Sequence, residues 1–407
     1  MAFEHQNQVA TLVDLVNHSL PACVLTSARL LIWMLAFLCN LSAQQPFQVD
    51  SLFDKRQPET LGLAFVNSLE TITIFAPDSV ENRYNHGVVL FPFKGKLYAQ
   101  WQSAKEDEDA PDTQVFYSCS EDERQWSRPV ALTEKWTEGI RTSGGWWGYE
   151  DTLVAYINCW PNSENGVKEG YAEYLFSVDG FHWHKGGAVM SASGKAIPGI
   201  IEQDVHALPN GRIVTAFHLQ PGLKATPFYT DDPSGIRGWK AGDLPHLPGE
   251  PTMSREIEPS WFRRKDSCLV MVFRDQQSSF KKLASVSCDQ GLTWTLPELV
   301  NTPDSRAKQS AGNLPDGTAF MVNNPTGNKN RFPLVITLSP DGCIFNKAFL
   351  LRSGGSDLQP MRFSGKYKRP GYSYPKSVVG GDFLYVGYAT NKEDVELTRV
   401  PLSVLGY

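Results

Sequence analysis

The chain is short of positive charge: its 38 lysines and arginines are outnumbered by 44 aspartates and glutamates, for a formal net charge of -6. Without a basic face to neutralise phosphates, nucleic acid is excluded as a partner. Charged residues of either sign make up only 20%, which excludes a disordered polyelectrolyte and a coiled coil. The seven cysteines contain no Cys-x-x-Cys pair, so neither a zinc knuckle nor a dense disulfide framework is indicated, and no metal or cofactor is expected. Cys119, Cys159, Cys268, Cys288 and Cys343 lie beyond the N-terminal region, and sequence alone does not pair them.

Long apolar runs are also missing. Leu30 to Cys39 is too short to span a bilayer comfortably. Arg29 precedes it and Asn40-Leu41-Ser42-Ala43 follows. A positive residue, an apolar run of about 10 to 13 residues and a small residue at the exit describe a secretory signal. Residues 1–43 are therefore expected to be a signal region of a periplasmic or secreted protein with no stable membrane insertion after its removal. Cys39 follows Leu38, bulkier than the small residue that precedes a lipid-modified cysteine. N-terminal sequencing of the exported protein should begin at or close to Gln44, and retention of Arg29 would count against the signal.

What the chain has in quantity is 33 glycines, 27 prolines and 12% aromatic residues, a composition of many short strands and tight turns. A length of 407 residues suits two ordinary domains or one large closed β architecture. A strand-turn-strand unit recurs, with turns at Lys94-Gly95, Glu150-Asp151, Asn210-Gly211, Lys265-Asp266, Asp316-Gly317 and Gly380-Gly381, spaced by roughly 50 to 65 residues. Each is flanked by apolar or alternating runs, the mark of a hairpin. A second motif falls late in the units: Ser287-Cys288-Asp289-Gln290-Gly291-Leu292-Thr293-Trp294, with looser copies from Ser177 to Trp183, from Ser339 to Gly342 and from Ser120 to Trp126. In such a clip the Asp accepts turn amides, Gly takes a positive φ and Trp packs beneath; its role is structural.

These Asp boxes resemble those of the sialidase-like superfamily of β-propellers. The segments Tyr84-Asn85-His86-Gly87, Gly95 to Trp101, Glu106-Asp107-Glu108-Asp109 and Gly381 to Tyr388 look like a narrower group. They are similar to secreted bacterial propellers that act on uronate-containing plant glycans, glycoside hydrolase family 145 and the related ulvan lyases. The resemblance covers residues 58–407 and implies one propeller there; residues 44–57 are expected to be a linker, and the protein is expected to be a monomer. It further implies removal of α-L-rhamnose from glucuronate by means of a histidine, on the posterior face in the hydrolases and the anterior face in the lyases. The expected fold is thus an all-β, seven-bladed β-propeller with Asp-box turns. The turns alone support six blades; a seventh would have to lie in Ser353 to Tyr372, and Leu61 to Phe75 is available to complete the last sheet.

The first strand of each blade lines a propeller's channel, so residues at its entrance converge. His86 is the expected proton-transfer residue, since histidine titrates near neutral pH. Substrate contacts are expected from Asn85, Trp146, Trp147, His206, Arg274, Arg331, Tyr374 and Lys376, with aromatic faces stacking on sugars and cations pairing with a uronate carboxylate. Of two adjacent strand residues such as Trp146 and Trp147, one is expected to face the channel. The acidic run Glu106 to Asp109 reads as solvated. The ulvan lyases carry a second histidine near this run, where Lys105 stands here, which counts against β-elimination. Sialidase activity is disfavoured by the absence of an Arg-Ile-Pro signature. The expected activity is that of an exo-acting α-L-rhamnosidase on a uronate-containing oligosaccharide or polysaccharide, with a uronate lyase or a non-catalytic glycan-binding propeller as alternatives.

Overall fold

Every one of the turns named above joins the first two strands of an antiparallel sheet. The computed structural model describes residues 45–78, 81–163 and 169–406. Within them the sheets follow one another along the chain as six blades. The first strands, which face the axis, are Tyr84–Phe93 in blade I, Gly139–Tyr149 in blade II, Gly199–Ile201 resuming at His206–Ala207 in blade III, Glu256–Arg263 in blade IV, Ser310–Asn313 in blade V and Tyr372–Gly380 in blade VI. Blade VI takes its outermost strand from the N-terminal side: Glu70–Phe75 pairs antiparallel with Asp394–Pro401. That closure leaves no open edge at the join.

The count is six blades, not seven. Between Ser353 and Tyr372 the chain forms only a short 3-10 turn, Gly355–Asp357, before blade VI begins. The expected signal region lies outside the described residues. From Phe47 onward the expected linker is packed rather than free. Gln48–Val49 runs parallel to Ile344–Phe345, and Phe47 is buried against Phe262 and Phe345 at the seam of blades IV and V. Among the described residues no helix is long and apolar enough to cross a membrane.

The apolar core is divided into six clusters, one at each seam between neighbouring blades. Strand alternation produces this: Val88 and Leu90 face blade VI, while Val89 between them faces blade II. A blade buries both of its faces, so its strands read as nearly continuous apolar runs.

The Asp boxes clip the turn between the third and fourth strands of blades I, II, IV and V. In blade IV, Asp289 accepts the amides of Leu292 and Thr293, Ser287 Oγ accepts the amide of Gly291, and Trp294 Nε1 donates to the Gly291 carbonyl. Cys268 and Cys288, just outside the facing ends of two adjacent strands of the same blade, form a disulfide, while Cys119, Cys159 and Cys343 are free. In blade II the left-handed position belongs to Gly180 (φ 77°), and a Cβ there would lie 2.0 Å from the buried Tyr98 hydroxyl. Gly180→Ala should therefore be destabilising by about 1–2 kcal/mol for the backbone and a further ~1–3 kcal/mol for the clash. Urea denaturation checks this; a midpoint unchanged from the parent would refute it.

Candidate functional site

Four of the six first strands carry a bulge at the cavity end. Pairing with the second strand skips a step after His86 in blade I, Ser143 in blade II, Ile257 in blade IV and Ser373 in blade VI. The bend puts a residue in the left-handed region each time. In blades I and II it is glycine, Gly87 (φ 66°) and Gly145 (φ 90°); in blades IV and VI it is Glu258 (φ 54°) and Tyr374 (φ 55°). Side chains at such positions are unfavourable and persist where the surroundings hold them, which is typical of functional sites.

Those two side chains meet. The Tyr374 hydroxyl donates to Glu258 Oε1 at 2.6 Å and accepts from Arg274 Nη1 at 3.0 Å, and Arg274 also holds Glu258 Oε2 at 3.0 Å. They line an axial cavity of about 120 Å³ together with His86, Gln102, Glu108, Ser143, Glu202, Gln203 and Lys308. Glu202 receives Lys308 Nζ at 2.7 Å and lies 2.9 Å from His218 Nδ1. His218 Nε2 accepts the Glu258 amide at 3.2 Å. Glu108 is paired with Lys392.

Burial alone would raise the Glu258 carboxyl, but Arg274, Lys308 and the Tyr374 hydrogen bond outweigh it and hold it down at about 2. Glu202 moves the same way: burial opposes its charge, and Lys308 and His218 overcome it. Burial and the neighbouring Glu258 charge push the Tyr374 phenol far up, so the proton shared by the pair stays on tyrosine. His86 is 1% exposed, and neither ring nitrogen has a hydrogen-bond partner. Its ring centroid is 4.3 Å from that of Tyr374. Burial first, then Lys392, Arg331 and Lys308, hold it well below its ordinary value, so it is neutral.

Of the residues singled out from sequence, His86, Arg274, Arg331 and Tyr374 come together. The Arg331 guanidinium lies 5.2 Å over the Tyr374 ring and donates to Ser373 Oγ at 2.9 Å. The others are engaged by different partners or lie away from this cluster. Asn85 is engaged by Asn82, Glu393 and Trp101 as a buried clip. Lys376 is locked to Asp204 at 2.7 Å. His206 is bonded to the other oxygen of Asp204 and lines a separate cavity with Trp261 and Arg263. Trp146 packs in the seam of blades I and II and Trp147 in that of blades II and III. Alternation does send them opposite ways, but both ways lead to a neighbouring blade, because only the strand end reaches the axis. Glu258, Glu202 and Lys308 were not anticipated as site residues; Glu258-Pro259 at a strand entrance was the available signal. Glu108, read as solvated, lines the cavity wall. Among the described residues no three His, Cys, Asp or Glu side chains are grouped to hold a metal ion.

Residues 95–386 match the family described as BNR repeat-like domain. No curated protein matches the sequence. Among solved structures the fold is similar to a protein of unknown function from Dyadobacter fermentans, with a TM-score of 0.64 and 15% identity over 82% of this chain and 99% of that one. It is also similar to the intramolecular trans-sialidase from Ruminococcus gnavus (TM-score 0.60, 12% identity, 83% of this chain and 98% of that one). A third similar structure is the Hadza microbial sialidase Hz136 (TM-score 0.61, 13% identity, 79% of this chain and 66% of that one). At these identities the likeness is one of fold.

The depressed carboxyl of Glu258 gives the cluster a pH signature. A carboxylate lowered on folding contributes its full stabilisation above its unfolded value, near the ordinary 4.5, and loses it as pH falls through the folded value. Glu202 acts in the same direction. Unfolding free energy should therefore fall as pH drops below about 4.5, and Glu258→Gln should flatten part of that slope between about pH 5 and 3. Urea denaturation across this range decides it; an identical slope in parent and variant would contradict the assignment.

Proposed function

The chain belongs to the BNR repeat-like family, as a sialidase-like propeller, and on that premise we propose that it is a glycoside hydrolase reacting in the axial cavity, with Tyr374 as nucleophile and Glu258 as its base. The observation that carries this reading is the 2.6 Å contact between two side chains held at left-handed bulge positions where blades I and II have glycine. Sialidases depart from the usual carboxylate pair by using a tyrosine nucleophile, and a phenol hydrogen-bonded to a carboxylate meets the geometric requirement for such activation.

In the first step the Tyr374 oxygen attacks the anomeric carbon as the glycosidic bond breaks. The phenol proton passes to Glu258, and the departing oxygen takes a proton from His86. Water then attacks the same carbon and gives its proton to His86, and Tyr374 leaves with its proton returned by Glu258. His86 must be cationic for this. Burial is the larger cause of its neutrality, and the positive charges of Lys392, Arg331 and Lys308 are the rest. A carboxylate on the bound sugar would offset those charges and move the histidine part of the way back towards its ordinary value. The enzyme so read works better on an anionic substrate than on a neutral one.

Arg331 and Lys308 are the cations nearest the Tyr374 ring after Arg274, and they are the proposed carboxylate holders. The finer substrate proposal is the one that the sequence resemblance implies, rhamnose linked to glucuronate in a plant arabinogalactan-type glycan, cleaved exo. Incubation with a panel of acidic oligosaccharides that includes this one, following both released sugar and the ultraviolet absorbance of an unsaturated uronate, separates hydrolase, lyase and non-catalytic binder. Tyr374→Phe should abolish release of sugar, and His86→Ala should lower turnover by roughly 100-fold to 10,000-fold, with both variants folded. Full activity in Tyr374→Phe would overturn the mechanism; unsaturated product would make the chain a lyase.

A further inference from the structure

A left-handed bend needs something to hold it, and at three of the four bends described above the bent residue's own backbone is gripped by a neighbouring side chain. Where the residue is glycine, glutamines do this. Gln203 Nε2 donates to the Gly87 carbonyl at 3.0 Å. Gln100 takes both groups of Gly145, its Oε1 accepting the amide at 3.0 Å and its Nε2 reaching the carbonyl at 3.3 Å. At Glu258 the grip comes from both flanking blades: Gln309 of blade V donates to the carbonyl at 3.0 Å, and His218 Nε2 accepts the amide at 3.2 Å.

His218 lies in the second strand of blade III, Ile213–Leu219, opposite Ile200, and is 3% exposed. Its other nitrogen faces Glu202 at 2.9 Å, and Glu202 in turn receives Lys308, so the ring is fixed from behind. The pairing of blade IV's first strand slips between Ile257 and Ser260, and the amide of the residue in that gap goes to the histidine. Without its acceptor this amide would be enclosed and unbonded. The residue would then relax toward ordinary strand geometry, the favoured state of any residue with a Cβ. A change in the sign of φ changes the direction in which Cβ leaves the backbone. The carboxylate would swing away from the Tyr374 hydroxyl and Arg274, which it meets from the left-handed position.

We propose that His218 is the positioning residue of the Glu258–Tyr374 pair: by accepting the Glu258 amide it holds the backbone left-handed and so aims the carboxylate at the phenol. It acts through Glu258 and is not among the residues that line the axial cavity. Its bearing on turnover rests on Tyr374 being the reacting centre; its hold on the Glu258 carboxyl does not.

Two substitutions separate the roles of the ring's nitrogens. His218→Gln places an oxygen where Nε2 stands, as Gln100 does for Gly145, whereas His218→Asn keeps a polar group facing Glu202 and falls short of the amide. Each is compared with its own Glu258→Gln double variant by urea unfolding from about pH 5 to 3, so that the difference reads the Glu258 carboxyl alone. Arg274, Lys308, Tyr374 and Glu202, the charged and titratable neighbours of that carboxyl, are unchanged throughout. The acid-dependent difference seen in the parent should persist in His218→Gln and shrink by about half or more in His218→Asn. An undiminished difference in His218→Asn would make the histidine mere packing and overturn the proposal; a difference lost equally in both variants would shift the cause to Glu202 and overturn it too. In the unaltered protein the Glu258 amide should resist deuterium exchange as the strand amides of blade IV do, and rapid exchange would overturn the proposal even if neither variant folds. With an acidic oligosaccharide that the parent cleaves, His218→Asn should lower kcat about tenfold or more with KM within about threefold, and His218→Gln should recover most of the loss. If the parent cleaves none, the catalytic reading falls, and the urea and exchange results still decide whether His218 holds Glu258.

Discussion

Where six sheets converge on an axis there is no broad face left to bury, and in this protein the space is occupied by ionised side chains. A charge enclosed without its opposite is destabilising by several kcal/mol, so each one has to find its partner in the same small volume. The partners come from across the ring: Lys308 of blade V reaches Glu202 of blade III, Lys376 of blade VI reaches Asp204 of blade III, and Tyr374 of blade VI reaches Glu258 of blade IV. The apolar seams bind each blade to its neighbours, whereas the axial pairs join blades that are not neighbours in the ring. The position of any one axial side chain is therefore a property of the whole ring, and that pre-organisation is what a reacting group requires.

The bulges show how the ring meets that demand locally. A backbone that turns left-handed at the mouth of the channel is tolerated by Gly87 and Gly145 at little strain; Glu258 and Tyr374 take the same conformation at a cost of about 1–2 kcal/mol each. The fold needs the bend in all four places and needs a side chain in none of them. The carboxylate and the phenol are thus explained by what they do to one another, and their shared hydrogen bonds with Arg274 are what keep them there.

How much of this can be read from sequence follows the range of the interactions. The hairpin turns and Asp boxes are local, written in four to eight consecutive residues each, and they give the blade type and the six units directly. The seventh blade came from the resemblance and not from any turn signal, and Ser353 to Tyr372, with only Gly355–Asp357 as regular structure, shows why length alone is a poor guide. His86 and Tyr374 were named because strand entrances converge, and Arg274 and Arg331 as cations able to pair with a carboxylate; the structure brings the four together. Glu258, Glu202 and Lys308 were missed because the contacts that bring them to the axis run to partners more than a hundred residues away, Lys308 to Glu202 and Tyr374 to Glu258. Trp146 and Trp147 failed as platforms because the alternation rule says which way a side chain leaves the strand, not what lies there.

The pairing of Glu70–Phe75 with Asp394–Pro401 also sets a timetable for synthesis. The early strand emerges from the ribosome long before the strand it must join exists, so it waits unpaired while five blades form behind it. Throughout that interval the nascent chain is an open arc with bare sheet edges at both ends, the form most exposed to pairing with a neighbouring chain. Contacts so distant in sequence form slowly. The strand Asp394–Pro401 is what ends this vulnerability, so synthesis interrupted within blade VI would leave an arc of nearly complete blades that has no means of closing on itself.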